Sequence, residues 1–266
     1  MIDVIIPCYN AEDTLQRAVQ SALNQAQLGT LWLIDDYSTD GTFQLAKQFE
    51  AQLPHKIRVE RLAQNGGAAK ARNWGALQSE AALIAFLDAD DAYENQALQV
   101  AEAVFLHRPE VALVRLELKP IDLAPRYAEH PNFDYAWQHM RMTGAGNTVF
   151  RRSFFLACGG FPQHSLFRTF GGEDGALGIA TTQITTVATT FGEAGVLNFC
   201  REGMHAEHLL DAILFERVRP DITPEDIAQA NQVTANICQS IQQLRDCLNS
   251  GEIGIKPLVM EWTKAD

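Results

Sequence analysis

The feature that most constrains this chain is a pattern that begins four times before residue 92: a short apolar run of strand character ends in polar or turn-forming residues, and a helix-like stretch follows. Val4 to Ile6 stops at Pro7, and Asn10 is placed to cap a helix with apolar positions Leu15, Ala18, Val19, Ala22 and Leu23. Leu31 to Ile34 ends in Asp35 and Asp36, then Ser38 to Gly41 read as a turn, with Asp40 a turn and cap residue, before a helix through Leu45, Ala46 and Phe49. Ile57 to Leu62 precedes Asn65, Gly66 and Gly67, which open an Ala-rich helix, and Ala82 to Leu87 closes on Asp88. Strands alternating with helices imply an α/β fold, a mostly parallel central sheet flanked by helices. In such sheets ligands gather beyond the carboxyl ends of the strands, and the polar residues stand there.

The later sequence is less regular. A helix is expected from Asn95 to His107 and a strand over Val111 to Leu118, whereas the prolines and aromatics of Lys119 to Thr143 read as an inserted loop. Gly171 to Asp174 form an acidic turn before a small, uncharged run to Thr190. Thr223 caps and Pro224 starts a helix whose stripe Ile227, Ala230, Ile237, Ile241, Leu244, Leu248 is ordinary packing surface, ended by Asn249, Ser250 and Gly251. At 266 residues the chain suits one large domain, or one domain plus a helical appendage: we expect residues 1–215 as the domain and 216–266 as a C-terminal helical extension.

Composition narrows the function. With 33 acidic against 21 basic residues the net charge is −12, which disfavours nucleic acid or an anionic membrane as partner, so a phosphate ligand would need a local device. The five cysteines are scattered, which argues against a disulfide framework or structural zinc and for reduced thiols in the cytoplasm. No signal peptide is expected, and the apolar run Ala81 to Leu87 is far short of the roughly 20 residues of a transmembrane span; peripheral membrane contact stays open.

The densest chemistry is FLDADD, where a buried strand delivers Asp88, Asp90 and Asp91 into one loop. Three carboxylates so close repel one another unless a cation sits between them, and hard oxygen donors favour Mg2+ or Mn2+. A D-x-D by itself also serves as a helix cap, Tyr9 fits a core aromatic as well as a stacking platform, and Asp174 fits a cap for the helix that follows.

The series IIPCYNAEDTL, LIDDYSTDGT, NGGAAKARNWG, FLDADD, NTVFRRSFFLACGGF and FGGED resembles the inverting family 2 glycosyltransferases, which have the GT-A fold. The resemblance implies a nucleotide-sugar-binding half (1–118) and an acceptor half (119–215). Pro7, Tyr9 and Asp36 then contact the nucleoside base, with uridine diphosphate the expected nucleotide. Asn65 and Gly67 flank the nucleotide, and Lys70 and Arg72 supply local positive charge. Asp88 supports the ribose and the metal, Asp90 binds a Mn2+ or Mg2+ bridging the diphosphate, and Asp174, beside Glu173, is the catalytic base. A C-terminal histidine often completes the metal set in this family, and His205 in NFCREGMHAEHLL takes that place; it fits an ordinary surface histidine equally. The segment after Asp174 lacks the usual aromatics and arginine, and no Q-x-x-R-W motif is present, which disfavours polymer synthesis and leaves the acceptor unknown. The alternatives are a nucleotide-sugar-binding protein or degenerate transferase without acceptor chemistry, and a phosphohydrolase with Asp88 as nucleophile and Asp90 as acid, which leaves Tyr9 and Asp36 unused.

Overall fold

The computed structural model describes residues 1–217, 219–244 and 252–261. Its first half follows the alternating pattern: β1 (Ile2–Cys8), α1 (Leu15–Leu23), β2 (Leu28–Asp35), α2 (Thr42–Gln52), β3 (Ile57–Arg61), α3 (Ala68–Gln78), β4 (Leu83–Phe86), β5 (Ala92–Tyr93) and α4 (Ala97–His107). The second half continues with β6 (Leu113–Leu116), β7 (Leu118–Ile121), α5 (Pro125–Ala128), α6 (Phe133–Thr143), β8 (Thr148–Arg151), α7 (Arg152–Ala157) and α8 (Ser165–Phe170). Then come α9 (Glu173–Ile184), β9 (Thr186–Thr190), β10 (Val196–Phe199), α10 (His205–Phe215), α11 (Pro224–Gln243) and β11 (Gly254–Pro257).

The main sheet has the order β11-β9-β6-β8-β4-β1-β2-β3, parallel except for β8, which runs against both β4 and β6. Alternation along β1 explains its central place: Ile2, Val4, Ile6 and Cys8 enter one apolar layer with α1 and α4, while Ile5 enters the opposite layer with Ala71 and Ala76 of α3. Asp3, buried on the same side as Ile5, accepts hydrogen bonds from Thr30 N, Ser79 Oγ and Trp32 Nε1 and so is not orphaned. The strand runs on through Pro7, because pairing with β4 has already ended at Ile5–Phe86 and no donor is needed on that side.

Three local expectations are corrected. Asn10 caps nothing: with φ 48° it is a turn residue whose Oδ1 accepts from Thr39 N at 2.9 Å, and α1 starts after Thr14. The expected strand Val111 to Leu118 is two strands in different sheets, β6 in the main one and β7 in a small sheet ordered β5-β10-β7. The expected loop Lys119 to Thr143 is ordered as β7, α5 and α6, since Tyr127, Ala136 and Trp137 are core residues and Trp137 Nε1 donates to Leu118 O. Asp40 is the expected turn residue, accepting from Thr42 N at 3.0 Å.

Thr223 and Asp226 form a reciprocal capping box with Pro224 in the first turn, as the residue pattern requires. Ile237 and Ile241 of α11 join the apolar layer of α9, and β11 then adds a parallel edge strand beside β9, so the expected helical extension also contains a sheet strand. The expected helix end at 249–251 lies outside the described residues.

Candidate functional site

The carboxyl ends of β1, β2 and β4 open into a cleft of about 1020 Å³, closed on the far side by loop 144–147, α8, the start of α9 and the segment after β10. Pro7, Tyr9, Asp36, Asn65, Gly67, Lys70, Arg72, Asp88, Asp90 and Asp174 all line it. The topology brings together residues that the sequence separates by more than a hundred positions.

At one end stands Asp36, directly after β2 and only 2% exposed. Its Oδ1 accepts from Gly66 N at 2.7 Å; its Oδ2 accepts from Gly67 N at 2.7 Å and Asn65 Nδ2 at 3.0 Å. Gly67 has φ 89°, a left-handed conformation that suits glycine and turns both N–H groups toward the carboxylate before α3 begins. Burial pushes the Asp36 carboxyl above its ordinary range, and the two N–H donors and Arg168 oppose that. Tyr9 is 50% exposed on the cleft, so it is no core aromatic. Lys70 is exposed on the rim.

The other end gathers the acids. Asp88 pairs with Arg72 Nη2 at 2.6 Å, and Arg72 Nη1 reaches Glu173 at 3.3 Å, so one buried guanidinium ties the strand-end loop to the first turn of α9. Burial works against the Arg72 charge, and Asp88 with Glu173 more than offsets it, raising its pKa. The expected local cation is therefore a bridge between two acids. Asp90 pairs with Arg201 Nη2 at 3.0 Å, and its carbonyl accepts from Arg17 Nη2. Burial and then Asp88 push the Asp90 carboxyl up. Asp91 belongs to the framework: it is buried and accepts from Asn198 Nδ2 at 2.9 Å and Phe199 N at 3.0 Å, which fixes β10 to the acidic loop. Asp174, two residues into α9 after the left-handed Gly172, is pushed up to about 6 by burial and by Glu173.

Two partners were not expected from the sequence. Arg17 of α1 lies over the Phe199 ring and holds the Asp90 backbone, while Arg201 sits in the very run whose histidines drew attention. His205 is the first residue of α10, and its side chain lies outside the described residues.

Asp88 and Asp90 are hard oxygen donors, and burial and Asp88 push the Asp90 carboxyl up, which suits a divalent cation. Among the described residues no three candidate ligands converge. Among the described residues, too, no helix is long and apolar enough to cross a membrane.

A family model described as "Glycosyl transferase family 2" matches residues 3–163. The minor teichoic acid biosynthesis protein GgaA of Bacillus subtilis (strain 168) is 38% identical over 106 residues, covering 37% of this chain and 23% of that protein. The poly(ribitol-phosphate) beta-N-acetylglucosaminyltransferase TarS of Staphylococcus aureus (strain Mu50) is 31% identical over 119 residues, covering 43% of this chain and 20% of that protein. The matched stretches span 39% or less of these curated relatives' own lengths. Among solved structures, S. aureus TarS 1-349 in complex with UDP-GlcNAc superposes with TM-score 0.56 at 20% identity, covering 92% of this chain and 74% of that one. The mannosyltransferase PcManGT from Pyrobaculum calidifontis, in complex with GDP-Man and Mn2+, gives TM-score 0.59 at 17% identity, with coverage of 92% and 74%. These likenesses show the GT-A fold.

Proposed function

The chain belongs to glycosyl transferase family 2, and from that premise we propose that it moves a sugar from a nucleotide-diphosphate sugar to an acceptor hydroxyl, with inversion and with Mn2+ or Mg2+ at the diphosphate. The observation that carries this reading is the bridge Asp88–Arg72–Glu173, which ties the acidic loop after β4 to the first turn of α9 within one cleft.

In this reading residues 1–118 hold the donor, residues 119–215 the acceptor, and residues 216–266 form an extension. The base of the nucleoside stacks on Tyr9 beside Pro7 and bonds to Asp36, which has one acceptor position left on Oδ1. Asn65, Gly67 and Lys70 flank the nucleotide. Asp88 and Asp90, with His205 as a further candidate, hold the cation, which when bound neutralises the departing diphosphate as a Lewis acid. Asp174 takes the acceptor's proton as that oxygen bonds to the anomeric carbon and the carbon–phosphate-oxygen bond breaks on the opposite face. Its raised pKa places it closer to a working general base than an ordinary aspartate. A uridine donor is supported by the UDP-GlcNAc complex of the TarS neighbour, and a guanosine donor by the GDP-Man complex of PcManGT. Cytoplasmic placement is part of this proposal, carried by the scattered cysteines.

The test is a thermal-shift panel of UDP-, GDP- and dTDP-sugars with and without Mn2+, since a ligand stabilises by mass action. One donor class should raise Tm, more so with Mn2+. No shift for any donor under either condition would contradict the proposal.

A further inference from the structure

β6 delivers one charged side chain that this chemistry leaves unused. Arg115 is 2% exposed on the sheet face covered by α9, the face on which Leu113 packs with Leu177 and Ala180. A guanidinium taken out of water is costly unless it is paired, yet Arg115 has no salt bridge among the described residues and its Nε has no hydrogen-bond partner. What it touches is the back of the cleft. Nη1 donates to Gly144 O at 2.5 Å, at the start of the loop whose Gly146 abuts Asp88: a Cβ there would stand 3.1 Å from Asp88 Oδ2. Nη2 fills the notch left by Gly178 of α9, where a Cβ would be 2.9 Å from it. Gly178 lies one helical turn after Asp174, on the same face of α9. Burial lowers the Arg115 pKa to about 10, and the charge that opposes this is Asp174. Glu173 and the Gly175 N–H of its own helix, Arg72 of α3 and Asp88 after β4 act on Asp174, and Arg115 of β6 is the further cation whose charge Asp174 favours.

We propose that Arg115 is a positioning residue: it braces the Asp174 turn of α9 against loop 144–147 from beneath the cleft and presents the Asp174 carboxylate with a fixed positive charge. The inference rests on Asp174 being the base. Its test uses the full chain with 13C-carboxyl aspartate, read by NMR titration without substrate, the Asp174 signal being assigned by its loss in Asp174→Asn. Arg115→Met should move the Asp174 titration up by roughly half a pH unit or more, because an opposite charge favours ionisation, and lower kcat on the order of tenfold with donor KM unchanged. Arg115→Lys, the milder change for folding, should keep the wild-type titration but lower kcat several-fold, since an ammonium keeps the charge and loses the planar fork. An unmoved Asp174 titration in Arg115→Met, or wild-type kcat in Arg115→Lys, overturns the inference. If instead the wild-type Asp174 titrates as an ordinary aspartate, or Asp174→Asn turns over normally, it is the assignment of the base that fails.

Discussion

The two ends of the cleft satisfy their carboxylates in opposite ways. Asp36 is held by three neutral donors from one short loop, Asn65 Nδ2, Gly66 N and Gly67 N. Asp88 and Asp90 are held by guanidinium groups from distant elements, Arg72 and Arg201, and Arg201 keeps 69% of its side chain exposed. A backbone cradle has a fixed geometry that no exchange of ions disturbs. An exposed arginine on a carboxylate is worth little and gives way to a competing cation. On the proposed function, the Asp36 end is preformed and indifferent to metal, and Asp90, whose arginine is exposed where the Arg72 on Asp88 is buried, is the position at which a cation would exchange in.

The largest effect should come from Asp174, which the Arg72–Glu173 pair ties to the acidic end. Asp174→Asn should keep donor affinity and lose turnover by roughly a hundredfold or more, the upper range of general-base catalysis. Steady-state rates with equilibrium donor binding decide this, and normal turnover would remove Asp174 from the mechanism. In the proposed mechanism the same residue sets a pH dependence. A base with a raised pKa is protonated and idle below that value, so kcat should rise as pH climbs through about 6. A flat rate profile from pH 5 to pH 8 would contradict the assignment.

At the acidic end, Asp90→Ala should remove the Mn2+-dependent part of nucleotide binding, on the order of tenfold or more for a lost charged ligand, with the fold intact. Calorimetry with equal Mn2+ enhancement in mutant and parent would take Asp90 out of the site. The smallest effect sharpens the contrast most. Arg201→Ala removes the cation that occupies Asp90, so Mn2+ alone should bind about two- to fivefold tighter, the scale of an exposed ion pair. Weaker Mn2+ binding would mean that Arg201 does not compete with the metal.

The first half of the chain was legible because its signals are local: each apolar run and the polar residues at its end lie within a few positions, so Asp36, Asn65, Asp88 and Asp90 could be named as cleft candidates from strand ends alone. The acidic turn at Asp174 was legible for the same reason, as two glycines followed by two acids. What the sequence hid are the partners. Arg17 meets the Asp90 carbonyl across 73 positions and Arg72 meets Glu173 across 101, and no local pattern distinguishes these arginines from solvated ones. The stretch 119–143 read as a loop because its prolines interrupt periodicity, although Pro125 in fact starts a helix and Pro120 lies in a strand of the small sheet. Asn10 was misread because asparagine suits both a cap and a left-handed turn, and the hydrogen bond to Thr39 that selects the turn comes from another loop.

The central claim, a metal-indifferent nucleoside end beside a metal-exchanging acidic end, is tested most directly by measuring uridine diphosphate affinity for Asp36→Ala and Asp90→Ala with and without Mn2+. Loss of a charged hydrogen bond costs about 1.5 to 3 kcal/mol, on the order of tenfold to a hundredfold in affinity. Asp36→Ala should therefore weaken binding by a similar factor in both conditions, while Asp90→Ala should match the parent without Mn2+ and fall behind it only with Mn2+. If Asp36→Ala is harmless in both conditions, or if its effect appears only with Mn2+ present, the two ends are not independent and the account is wrong.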